Sequence, residues 1–170
     1  MDERRDSEPN SMKNRTTVER KSERELVVTR VFDGPAHIVF EAWTKPELLK
    51  RWWVPPSCGV SFLSCEADVR TGGTYRFVFS HAAAEQPMAF FGKYLEVTPN
   101  SRLVWTNEES DEGAVTTVTF EEKGGKTLVV MHDLYPSKEA LDNAIASGST
   151  TGAGEQFKQL DELLVTLGTF

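Results

Sequence analysis

Between Gly154 and Leu167 the chain reads GEQFKQLDELLVTL. Phe157, Leu160, Leu164 and Leu167 recur at intervals of three, four and three residues, which places them on one stripe of an α-helix. Leu163 widens the stripe, while Glu155, Lys158, Asp161 and Glu162 fall on the opposite side. Gly168 supplies a helix stop. Burying each apolar side chain of the stripe is worth roughly 1.5–3 kcal/mol before entropy is subtracted. Such a helix needs an apolar surface to lie on, and the rest of the chain has to provide it.

The surface comes from a run of strands. Leu26 to Phe32 is rich in β-branched and apolar residues and reads as a first strand. Asp33-Gly34-Pro35 breaks it, and Pro35 suits the start of a helix with Ile38, Val39, Ala42 and Trp43 on its apolar face. Thr44-Lys45-Pro46-Glu47 has the pattern of a capping box with Thr44 as the cap, opening a second short helix from Pro46 to Trp53. Adjacent Trp52 and Trp53 point in different directions on any helix, so one belongs to the core and the other to a rim or the surface.

Six further strands follow: Val60 to Asp68, Thr74 to His81, Met88 to Val97, Arg102 to Asn107, Val115 to Glu121 and Thr127 to Asp133. Alternation puts Tyr75, Phe77, Phe79 and His81 on one face, Leu103 and Trp105 on one face, and Thr116, Val118 and Phe120 on one face. In the last strand it aligns Leu128, Val130 and His132. Short turns such as Lys123-Gly124-Gly125-Lys126 make the series an antiparallel meander. A helical stretch opens at Pro136 and runs to about Ala146 before the terminal helix.

Composition narrows what such a domain does. The chain has 170 residues, 39% of them hydrophobic, with 10 Phe and 4 Trp, enough for one domain with a full core. Residues 1–23 offer only Met1, Met12 and Val18 as clear apolar residues among balanced charges, and are expected to form a disordered tail. Residues 24–170 form the single domain and carry the whole net charge of −7. An acidic body argues against binding nucleic acid or anionic membranes. No apolar run approaches the ~20 residues of a membrane span, and the N-terminus lacks the apolar segment of a secretion signal, so the expected location is the cytoplasm. Cys58 and Cys65 match no metal or redox spacing and read as free thiols. His37 and Glu41 have a metal-compatible spacing but no third ligand in view.

The order is strand, two short helices, six strands, long helix. With particular residues, it resembles the helix-grip fold of the START-like (SRPBCC) superfamily, an α+β architecture in which a curved antiparallel sheet of six to seven strands wraps a long C-terminal helix. The similarity is greatest to the heat-shock protein 90 ATPase activator homologues, in their stand-alone bacterial form. The residues that carry it are Pro35-Ala36, Val39-Phe40-Glu41-Ala42-Trp43-Thr44, Pro46-Glu47, Leu49, Trp52-Trp53 and Pro55. Further on they are Asp68-Val69-Arg70, Gly72-Gly73, Phe77, Gly92-Lys93-Tyr94-Leu95-Glu96-Val97, Pro99, Leu103, Thr127-Leu128 and His132. Relatives often carry Gly-Trp near the start of the last helix, where this chain has Gly154-Glu155-Gln156-Phe157.

The resemblance implies a cavity between sheet and terminal helix. The residues expected to line it are Trp43, Trp53, Phe77, Phe79, Phe90, Trp105, Val118, Phe120, His132, Phe157 and Leu160. Rings in that number suit a small hydrophobic or aromatic ligand, unless they simply fill the core. No cofactor is implied. Nucleophile elbows, zinc motifs, phosphate loops and dinucleotide fingerprints do not occur in the sequence, so an enzyme is the lesser expectation. An acid–base pair of His132 with Glu66 or Glu96 is the one catalytic arrangement left open. Three functions therefore compete: a carrier of a small hydrophobic molecule, an interaction module acting on a chaperone ATPase, and a cyclase or hydrolase. The resemblance also leaves a homodimer open, since dimers occur among relatives.

Overall fold

The computed structural model describes residues 16–53, 60–81, 86–108, 111, 113–146 and 153–167. Strands β1 (Thr17–Arg20) and β2 (Glu25–Asp33) lead into helices α1 (Ala36–Thr44) and α2 (Pro46–Trp52). Strands β3 (Val60–Ala67), β4 (Thr74–His81), β5 (Met88–Thr98), β6 (Arg102–Thr106), β7 (Val115–Lys123) and β8 (Lys126–Leu134) follow. Helices α3 (Lys138–Ala146) and α4 (Ala153–Leu167) close the chain. All pairings are antiparallel, and the sheet order is β1-β2-β8-β7-β6-β5-β4-β3. This is the α+β helix-grip arrangement, with an open sheet around α4.

The sheet has eight strands rather than the six or seven expected. The addition is β1, which pairs with β2 from Thr17↔Thr29 to Arg20↔Leu26. All four of its side chains are exposed, so backbone hydrogen bonding rather than burial holds it, and hydrophobic patterning carries no trace of it. Residues 1–15 lie outside the described residues.

The two short helices form where expected, but they are capped differently. Thr44 still belongs to α1, and its hydroxyl donates back to Phe40 O at 3.0 Å, one turn earlier in the same helix. The N-cap of α2 is Lys45, which makes no side-chain cap bond. The start of α1 is served from across the fold: Ala36 N donates to Glu122 Oε1 at 2.8 Å, placing a carboxylate at the positive end of the helix.

The α4 stripe is buried as its spacing requires. Phe157, Leu160, Leu163 and Leu164 are all at most 3% exposed. Leu167, expected to continue the stripe, is 36% exposed because it ends the helix. Asp161, expected on the polar side, turns toward the sheet and bonds Arg30 of β2.

Tyr75, Phe77 and Phe79 of β4, Leu103 and Trp105 of β6, and Thr116, Val118 and Phe120 of β7 are buried on the inner face. In β8 the inner positions are Thr127 and Val129, both at 0% exposure, followed by Met131 and Asp133. Leu128, Val130 and His132 therefore look outward. Residues 127–131 (TLVVM) are apolar or small on both faces, so alternation alone does not choose between them.

Two local features complete the sheet. Gly124 and Gly125 adopt φ of +60° and +81° in the β7–β8 hairpin, the left-handed pair that a two-residue turn demands. In β3 the register slips between Phe62, opposite Phe79, and Ser64, opposite Val78, so Leu63 is an extra residue at a β-bulge.

Candidate functional site

Trp43 of α1 is the hub of the interior. Its ring lies 4.8 Å from Trp52, 5.9 Å from Phe157, 6.0 Å from Phe120, 6.1 Å from Trp53 and 6.2 Å from Trp105, measured between centroids. Its side chain is buried, yet its indole N–H has no partner among the described residues. Trp52 is fully buried and donates its indole N–H to Ala42 O at 2.9 Å, which locks α2 onto α1. Trp53, one residue on, is only partly buried.

These rings do not close the interior. A cavity of about 510 Å³ lies between the inner face of β5–β8 and helices α1–α4. Its lining includes Trp43, Trp52, Trp53, Phe90, Trp105 and Phe157. The same lining carries polar groups from Asn107, Thr116, Asp133, Tyr135, Asn143 and Gln156. A second void of about 20 Å³, bordered by Trp43, Leu49, Trp53, Tyr75, Phe77, Tyr94 and Trp105, has room for about one water. The larger space has the volume of a small-molecule site.

The expected lining residues divide into three sets. Trp43, Trp53, Phe90, Trp105 and Phe157 border the cavity. Phe90 is 41% exposed although it pairs with Phe77 across the inner face, because it borders open space instead of protein. Phe77 borders only the small void. Phe79, Val118, Phe120 and Leu160 are 0–5% exposed and border neither space; they fill the core. His132 is on the outer face, where its Nε2 lies 2.7 Å from Glu25 Oε2 of β2. The His132 bond holds the Glu25 carboxyl below its ordinary pKa. Glu66 is exposed and Glu96 bonds Arg102 and Thr98 at the surface, so neither makes an acid–base pair with His132.

The strand position that His132 vacates on the inner side belongs to its neighbour, Asp133. Thr116 Oγ1 donates to Asp133 Oδ1 at 2.6 Å. Asn107 Nδ2 donates to Thr116 Oγ1 at 3.1 Å and to Ala114 O at 2.7 Å. Tyr75 Oη donates to Thr106 O at 2.7 Å and approaches Asn107 Oδ1 at 3.3 Å. A polar chain thus runs from β4 through β6 and β7 to β8. Burial pushes the Asp133 carboxyl above the usual range; the Thr116 bond and the positive charge of a protonated His132 pull the other way and do not win. The Tyr135 hydroxyl is pushed up to about 12, by burial first and by the neighbouring Asp133 charge second. Sequence alternation missed Asp133 because it follows the wrong frame in β8. The remaining signal was the pairing of Thr116 with Asp133 that a Gly-Gly hairpin dictates.

At the start of α4, Gln156 Nε2 donates to Trp53 O and Gln159 Nε2 donates to Trp52 O at 3.1 Å. The two glutamines tie the helix to the end of α2 and fix one edge of the cavity. Among the described residues no three His, Cys, Asp or Glu gather as a metal site. Cys65 is a free thiol that burial pushes up to about 11; Cys58 lies outside the described residues. No helix among the described residues is long and apolar enough to cross a membrane.

Comparison with known proteins agrees with this architecture. The family described as Activator of Hsp90 ATPase homolog 1-like protein matches residues 33–165. A crystal structure of a protein from Nitrosomonas europaea is 25% identical, with TM-score 0.78 over 89% of this chain and 100% of that one. One from Rhodobacter sphaeroides is 24% identical, with TM-score 0.81 over 90% of this chain and 99% of the other. The solution structure of an AHSA1-like protein from Aeromonas hydrophila is 16% identical, with TM-score 0.60 over 81% and 94%. The last two likenesses speak for the fold alone. No curated protein matches the chain.

Proposed function

We propose, from the premise that this chain belongs to the Activator of Hsp90 ATPase homolog 1-like family, that it binds a small hydrophobic or aromatic molecule between its sheet and its terminal helix. The observation that carries the reading is the cavity of about 510 Å³ lined by indole and phenyl rings together with amide, hydroxyl and carboxyl groups. A space of this size with a few convergent polar groups is the usual form of a small-molecule site. The partner is a soluble hydrophobic molecule, and the working compartment is the cytoplasm.

All four tryptophans of the chain border this space, so their emission reports on its contents. Titration with a hydrophobic fluorescent probe is expected to quench that emission, and Trp105→Ala is expected to change the probe's affinity. A folded protein that ignores a broad panel of such probes would overturn the reading.

The family's name supports a second reading, action on a chaperone ATPase. Adding the chain to purified chaperone and measuring ATP turnover separates the two: a carrier leaves the turnover unchanged and an activator raises it. For the third reading, an enzyme, the polar chain ending at Asp133 is the place to look for acid–base work.

A further inference from the structure

We infer that the cavity takes a ligand with a positively charged nitrogen on an aromatic or aliphatic body, the cation seated against Asp133; this rests on the binding function proposed above. Among the described residues bordering the cavity, Asp133 is the only charged side chain. No lysine or arginine among the described residues pairs with it.

The carboxylate is held in place. Thr116 donates to one oxygen, and Asn107 in turn donates to Thr116 and orients it. A half-buried charge with no counter-charge carries a desolvation cost, and a bound cation offsets it. The lining also carries Trp43, Trp53, Phe90 and Trp105, whose ring electrons attract a cation as well. The body outside residues 1–23 holds the whole net charge of −7, which favours the approach of cations and disfavours anions.

The groups around Asp133 leave it as the titrating element. Tyr135, on the same segment, ionises only near 12. His132 lies on the other side of the strand. β7, β6, α3 and α4 present Thr116, Asn107, Asn143 and Gln156 to the cavity, none of them titratable in the ordinary range. A cation in the site stabilises the ionised carboxylate and brings its raised pKa down, so binding releases a proton when Asp133 starts protonated.

The test uses two probes of equal shape, phenyltrimethylammonium and its neutral isostere tert-butylbenzene, titrated into the full chain with tryptophan emission as the readout. The cation is expected to bind about tenfold more tightly, the size of one well-placed charge contact. Asp133→Asn is expected to bring the ratio close to one, with a melting curve confirming that the variant folds. A second measurement needs no variant: acidification that protonates Asp133 is expected to weaken the cation and spare the neutral probe. Equal binding of the two probes to wild type, or a preference that survives either Asp133→Asn or acidification, overturns the inference and leaves the binding function standing. Failure of both probes to bind overturns both.

Discussion

Arg30 of β2 and Asp161 of α4 form an ion pair beneath the terminal helix. The Arg30 side chain is 6% exposed, its Nη1 donates to Thr16 Oγ1 at 2.9 Å, and its guanidinium carbon lies 5.6 Å from the centre of the Phe32 ring. Its Nε has no partner among the described residues. A charge at this depth is tolerable only with its counter-charge in place. The pair therefore fixes the rotation of α4 on the sheet, and with it the direction in which Phe157 faces the cavity.

Removing one partner exposes that dependence. Asp161→Ala is expected to destabilise the fold by about 3–5 kcal/mol, because Arg30 is left buried with its charge uncompensated. The double change Arg30→Met with Asp161→Leu is expected to recover most of the loss. Urea unfolding of the single and double variants, treated as a cycle, measures this.

The helix stripe allows a harsher change. Leu164 is 1% exposed against the sheet. Leu164→Asp is expected to leave no cooperative thermal transition, since a carboxylate would enter an apolar contact with no partner. A melting temperature within a few degrees of wild type contradicts it.

Asp133 makes stability depend on pH with a definite sign. Its carboxyl pKa is raised in the folded state, by burial above all. Between the unfolded and folded pKa values the native protein holds the proton that the unfolded chain has released, so stability falls as pH rises through that window. Below both values the effect vanishes. Asp133→Asn keeps an oxygen for Thr116 and removes the titration. The variant is expected to be more stable than wild type at neutral pH, and the difference is expected to disappear in acid. Chemical denaturation at the two pH values reads it directly.

Gly92 is set by space. A Cβ there would lie 2.1 Å from the backbone oxygen of Thr106. Gly92→Ala is expected to force β5 and β6 apart beside Asn107 and to cost about 1–3 kcal/mol. The same shift moves the polar lining of the cavity, so probe affinity is expected to change along with the unfolding midpoint.

The legible parts of this fold were those that repeat. The α4 stripe, the ring-bearing faces of β4, β6 and β7, and the Gly-Gly hairpin each follow a period or a turn rule, and each appears within a residue or two of where the sequence places it. What stayed hidden depends on single choices made by the tertiary structure. β1 has no apolar face to read, and the Thr44 hydroxyl had two helix ends within reach. In β8 the inward frame goes to Met131 and Asp133, so among the described residues the acid that borders the cavity is Asp133, and alternation points to His132 instead. The division of rings between wall and filling was equally out of reach: Phe120 and Trp105 are both aromatic and inward on neighbouring strands, and only the space left by the helices separates their roles.

An open sheet has two outermost strands, and β3 is one of them. A bare rim of backbone donors and acceptors is a docking line for any extended chain, including a second copy of the same protein. The additional residue at Leu63, 57% exposed, upsets the even spacing of that line halfway along. A strand arriving there meets a mismatch after a few bonds, so this edge of a sheet left open to make room inside resists being extended sideways.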